Sequence, residues 1–136
     1  MFFTLGLMLA GTAATADDDV RRAHYNYQMF CQGCHTPDGS GAGDVPRLKG
    51  QVGVFLNSQA GQEFLVRVPG AATSALDNEQ LAELLNWIVR EFAGASIPAN
   101  WRPYSGREVG ALRKQPLKEV IRYRGQILAD IARARH

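Results

Sequence analysis

The sequence predicts an all-α fold, a helical domain with a helical C-terminal extension. Apolar residues recur at helical spacing in successive stretches, and caps or glycine and proline bound those stretches. No apolar–polar alternation of strand length interrupts them. At 136 residues, 46% hydrophobic and 21% charged, the chain matches one globular domain with room for an appendage, not a multidomain enzyme.

The chain opens on an apolar run, MFFTLGLMLAGTAATA, closed by Ala14-Thr15-Ala16 directly before Asp17-Asp18-Asp19. This small-x-small ending predicts an export signal over residues 1–16. A retained anchor is the poorer reading, because the run is shorter than the ~20 residues that span a bilayer. Export places the mature chain in the periplasm, with no transmembrane span once the signal is cleaved. Two cysteines would usually pair in that oxidising compartment.

Val20, Ala23, Tyr27 and Phe30 then predict an amphipathic helix over about residues 18–31, ending at the cysteines. From Thr36 to Gly53 five glycines and two prolines predict a structured loop. Asn57 and Ser58 cap a short helix through about Val66, closed by Pro69-Gly70. Asp77 and Gln80 form an acidic variant of the capping box, and Leu81, Leu84, Leu85, Ile88, Val89 and Phe92 continue one apolar stripe until Gly94.

The character changes there. Residues 97–103, IPANWRP, read as a rigid linker, and Ser105 with Glu108 reads as another capping box. A last helix is expected from Pro116, with Leu117, Val120, Ile121, Ile127, Leu128 and Ile131 on its apolar side. Charge divides at the same boundary. Residues 17–93 hold six basic against ten acidic side chains, a net of −4, whereas residues 94–136 hold nine against three, a net of +6. The expected organisation is therefore a signal (1–16), a helical domain (17–93) and a basic linker with a helical extension (94–136).

The chemistry lies in Cys31-Gln32-Gly33-Cys34-His35. Two cysteines three apart on a helical turn can each add to one vinyl group of a single porphyrin edge, and the next residue brings an imidazole under the iron. A structural zinc site would need a further Cys or His pair, and the sequence has no other cysteine. A thioredoxin-like pair would start a helix after a strand, whereas this one ends a helix. A plain disulfide would need neither the adjacent histidine nor the loop that follows.

Over about residues 18–93 the chain resembles the monohaem class I c-type cytochromes. The resemblance rests on CQGCHTPDGSGAGDVPRLKG, which looks like that family's attachment motif, Gly-rich loop and Pro-x-Leu-x-Gly segment. It implies a cytochrome c-like helical domain around one haem c, covalently held by Cys31 and Cys34 and ligated by His35. It implies further that the Pro46 carbonyl accepts the imidazole N–H, which would fix the ring and raise its basicity, and that Leu48 packs on the porphyrin. Ala23, Tyr27, Leu84 and Trp87 are the counterparts of the family's helix crossing.

The departure is at the distal ligand. Family members place a methionine before a proline ahead of the last helix, where this chain has Val68-Pro69. Met29 stands too close to Cys31 on the same helix to reach the opposite face. His24, His136 and a deprotonated Lys49 are the remaining protein candidates, against a five-coordinate or water-bound iron. Arg67 stands beside or over the distal face, or is an exposed surface arginine.

Two functions follow. The first is a periplasmic one-electron carrier serving a redox partner protein, a donor dehydrogenase or an acceptor oxidase. Such a partner would be steered by the opposite charges and docked through the basic extension, unless the extension folds back in cis. The second is a five-coordinate haem c protein that binds NO, CO or peroxide as sensor or scavenger. Only weak peroxidase activity is expected, because no distal histidine is available as acid or base. Export argues against nucleic acid as the target of the basic segment.

Overall fold

The computed structural model describes residues 13–136. The export-signal expectation therefore falls mostly outside the described residues; residues 13–16 open the first helix. The chain runs α1 (Ala13–Phe30), α2 (Gln32–His35), α3 (Val52–Phe55), α4 (Gln59–Arg67), α5 (Pro69–Ala72), α6 (Asn78–Ala93), a 3₁₀ turn (Gly94–Ser96), α7 (Gly106–Leu112) and α8 (Val120–Ala134). No strand occurs among the described residues, so the fold is all-α as the sequence predicts.

The framework is the crossing of α1 over α6. Ala23 is small enough to let the helices approach, and Tyr27 is fully buried with its ring 5.3 Å from Trp87 and 5.4 Å from Phe92. Burying a large apolar side chain of this kind stabilises by roughly 1.5–3 kcal/mol. The buried stripe of α1 is narrower than its apolar spacing suggests: Val20 is 54% exposed and Phe30 44%. Among the described residues α6 is the main helix packed against α1, and Val20 and Phe30, on either side of the crossing, stay exposed.

Side-chain caps fix the starts of α4 and α6. Ser58 accepts from Gly61 N at the start of α4. Asp77 and Gln80 make both bonds of a capping box on α6, which ends at Gly94 in the left-handed region, φ 54°. At α7 the Ser105 half of the expected box is present, Glu108 N donating to Ser105 Oγ at 3.2 Å.

The extension folds back onto the domain. Asn86 brackets the backbone of Tyr104, donating to its carbonyl at 2.9 Å and accepting from its N–H at 2.7 Å. Arg113 donates to the carbonyls of Ala72, Ser74 and Leu76 at 3.0, 2.7 and 2.7 Å. Tyr104 and Val109 belong to the main core, while Leu117, Ile127 and Ile131 join Phe55 and Phe64 in a second cluster.

The last helix differs from expectation. It begins at Val120, not Pro116, because the Leu117 N–H is taken by the carbonyl of Arg67 at 2.9 Å and the preceding strap is pulled onto the end of α4. Ile121, expected on its buried side, is 90% exposed. The face that packs is instead set by Ile127 and Ile131, four residues apart. Among the described residues no helix is long and apolar enough to cross a membrane.

Candidate functional site

The site starts where α1 runs out. Cys31 N still donates to Tyr27 O, but its own backbone leaves the helical region, and the N–H groups of Cys34 and His35 then both turn back to Cys31 O at 3.1 and 2.9 Å. This single turn, α2, sets the two cysteines and the histidine on one side of a cavity of about 290 Å³.

The loop after it is folded to present one carbonyl. Gly41 N donates to His35 O, and Leu48 N and Lys49 N both donate to Gly39 O. Gly41 sits at φ +73°, and a Cβ there would stand 2.4 Å from Val45 O and 3.0 Å from Pro46 O. Only glycine lets the 45–46 backbone come this close. Pro46 O consequently lies 3.1 Å from His35 Nδ1. That contact requires the proton on Nδ1 and leaves the Nε2 lone pair free for a metal. Burial lowers the His35 pKa against the opposing pull of the Pro46 bond, which favours the neutral ring.

Thr36, next in the chain, has φ 66° and ψ 162°, a conformation rarely adopted by a β-branched residue. It is held there from several sides. Its carbonyl accepts from Tyr27 Oη at 2.6 Å, and its Oγ1 lies 2.6 Å from His35 O and 2.8 Å from Asp38 Oδ1.

The cysteines do not look like a redox pair. Burial, with Cys34 adding to it, pushes the Cys31 thiol up to about 11, the reverse of an activated thiolate. They carry no disulfide bond. Among the described residues, no group of three or more His, Cys, Asp or Glu side chains is arranged to hold a metal ion.

The remaining walls are mostly apolar. Leu48 comes from the loop, Leu65, Val68 and Ala71 from α4 and α5, and Leu84 and Ile88 from α6. The exposed side chains of Phe30, Cys34 and Arg47 form part of its rim. All six residues singled out in the sequence, Cys31, Cys34, His35, Pro46, Leu48 and Val68, stand on these walls.

The protein candidates for a second iron ligand do not. His24 is stacked on Trp87 at 5.3 Å, Met29 is 60% exposed, and Lys49 and His136 are exposed. Arg67 is neither a distal group nor a free surface side chain. It donates to Gln115 O at 2.8 Å and lies over the Tyr123 ring, pinning the extension. Val68 ends α4 in an extended conformation, and Pro69 starts α5.

Among the wall residues not singled out for the site from the sequence are Ser74, Tyr104, Val120 and Arg124. The last three belong to the extension, and no local pattern tells which of its side chains reach back to the domain. Tyr104 donates from its hydroxyl to Gln62 O at 2.8 Å, and the Arg124 guanidinium lies 5.6 Å from the centre of the Phe55 ring.

These residues fit a covalently attached haem. An apolar cavity suits the macrocycle, two thiols on one wall suit its two vinyl groups, and a neutral imidazole with a free Nε2 suits the iron. Among the described residues the only charged side chains on the walls, Arg47 and Arg124, have the sign that a porphyrin's carboxylates require.

No protein-family model matches the chain. It is 27% identical over 132 residues to a cytochrome c-552 of Thermus thermophilus, covering 83% of this chain and 86% of that one. It is 29% identical over 106 residues to a second cytochrome c-552 of the same species, covering 64% of this chain and 81% of the relative. Together with the all-α, cytochrome c-like fold, these distant similarities support a c-type cytochrome family for the chain.

Proposed function

We propose that the chain is an exported, periplasmic monohaem c-type cytochrome that passes single electrons between redox partner proteins, an electron-transfer protein rather than an enzyme. The observation that carries this reading is the oriented imidazole: His35, locked by the Pro46 carbonyl at 3.1 Å, beside two unpaired cysteines in one apolar cavity. The similarity to two cytochromes c-552 supports it.

Each part of the chain then has a task. Cys31 and Cys34 tether the haem through thioether bonds, and His35 Nε2 ligates its iron. Leu48, Val68 and the α6 leucines exclude water, which keeps the surroundings nearly unchanged between oxidation states. The bound haem supplies the one-electron chemistry, and the protein sets its potential through ligand, burial and hydrogen bonding. The net charges of −4 on residues 17–93 and +6 on residues 94–136 orient an incoming partner and make its encounter salt-sensitive.

A second reading is favoured by one specific observation: the described cavity walls carry no methionine and no lysine, and no histidine besides His35. On that reading the iron keeps an open position and takes NO, CO or peroxide.

Absorption spectra of the purified protein, oxidised and reduced, with and without CO, decide between the two. Low-spin iron indifferent to CO supports the carrier; high-spin iron that takes CO supports the open site. In either case acid and organic solvent must leave the pigment on the polypeptide, and a colourless or strippable protein overturns both. Val68→Met is expected to turn an open site six-coordinate and low-spin. An unchanged spectrum would remove Val68 from the distal position.

A further inference from the structure

Beneath the cavity's apolar lining is one polar atom without a protein partner. Ser74 lines the cavity, and its Oγ is buried and makes no hydrogen bond to any described residue. Its neighbour shows what a hydroxyl in this segment ordinarily does: Thr73 Oγ1 donates to Pro69 O, four residues back, at 2.7 Å. Ser74 does not follow it, although its backbone is fully engaged, N donating to Ala71 O at 3.2 Å and O accepting from Arg113 at 2.7 Å.

The backbone that carries this hydroxyl is held in place. Arg113, from the extension, holds the carbonyls of Ala72, Ser74 and Leu76 at once and also reaches Asn78 Oδ1 at 3.3 Å. A guanidinium whose donors are spent on alternate carbonyls of a five-residue turn fixes its shape. Buried hydroxyls are satisfied in folded proteins, and an exception on a cavity wall points to a partner that the polypeptide does not supply.

We propose that the Ser74 hydroxyl donates a hydrogen bond to an acceptor oxygen of the group that fills the cavity, and that Arg113 is the positioning residue that holds it there. This rests on the haem reading above. On a haem such oxygens have two sources, a carboxylate of the porphyrin edge or an oxygen-bearing ligand on the iron, and the hydroxyl's chemistry toward both is the same.

The test uses the full-length holoprotein, wild type, Ser74→Ala, Ser74→Thr and Arg113→Lys. Retention of pigment after acid and organic solvent is measured first on the wild type; its loss sinks the haem reading independently of Ser74. Vibrational spectra then distinguish the sources. If the oxygen is on an iron ligand, Ser74→Ala raises the C–O stretching frequency of the reduced CO form. If it is a carboxylate, the resonance Raman bending mode of the porphyrin's carboxylate chains falls instead, a readout that needs no CO binding. Ser74→Thr should restore whichever signal moved, and Arg113→Lys should shift it toward the alanine variant. Both modes unchanged in Ser74→Ala would overturn the donor role; a wild-type signal in Arg113→Lys would overturn the positioning role.

Discussion

Thr36 and Gly41 are the two residues on which the orientation of His35 turns. Gly41→Ala adds a Cβ 2.4 Å from the Val45 carbonyl at a φ of +73°, and both the contact and the conformation are unfavourable. A loss of roughly 1–3 kcal/mol of stability is expected from the backbone strain alone, read as a lower thermal midpoint; a wild-type midpoint would show that the loop yields without cost. Asp38 acts on the same turn. Hydrogen bonds from Ser40, then Thr36, hold its carboxyl down at about 2. Its ordinary value is 3.8, so the unfolded chain takes up the proton first as pH falls. The stabilisation is complete above about pH 4 and lost toward pH 2. Asp38→Asn should flatten that part of the acid unfolding curve, and a curve of unchanged slope between these limits would contradict the assignment.

At the scale of elements, what could be read in advance depended on how local the cause was. The caps of α4 and α6 lie within four residues of the helices they start, and Ser58 and Asp77 were legible for that reason. The short turn that carries Cys31, Cys34 and His35 was legible on the same ground, these residues being neighbours in sequence. The start of α8 was not, because a carbonyl on α4 captures Leu117 N from fifty positions away. Neither were Ser74, Tyr104 and Arg124, whose place on the cavity wall comes entirely from tertiary folding. The α1–α6 crossing combines both kinds of cause, since Tyr27 packs on α6 and also donates to Thr36 O at 2.6 Å. Tyr27→Phe keeps the packing and removes the bond, at about 1 kcal/mol. Burial pushes the Tyr27 phenol up to about 12. An unfolded tyrosine ionises near 10, so wild-type stability falls as pH rises through the interval between these values. Alkaline denaturation of Tyr27→Phe should be shallower over that interval, with the buried Tyr104 retaining part of the slope; identical curves would show that Tyr27 ionises as freely folded as unfolded.

Across the whole molecule, the extension is part of the protein's interior and not an arm laid on its surface. The second core cluster has Phe55 and Phe64 from one side of the charge boundary and Leu117, Ile127 and Ile131 from the other, so neither side buries its apolar surface alone. Three guanidiniums reinforce the seam, Arg67 on Tyr123, Arg90 on Trp101 and Arg124 on Phe55, each joining a cation of one part to a ring of the other. Because Val120 and Arg124 also line the cavity, the stability of α8 and the closure of the site are one quantity. Ile127→Ala tests this coupling. Removing a buried isoleucine side chain costs roughly 2–5 kcal/mol, and the loss should be distributed as the contacts are. Amides of α8, α3 and α4 should exchange with solvent faster, while those of α6, anchored by α1 and α7, keep most of their protection. If α8 alone lost protection and α3 and α4 kept theirs, the extension would be an independent appendage, and its residues on the cavity wall would contribute nothing to holding the site closed.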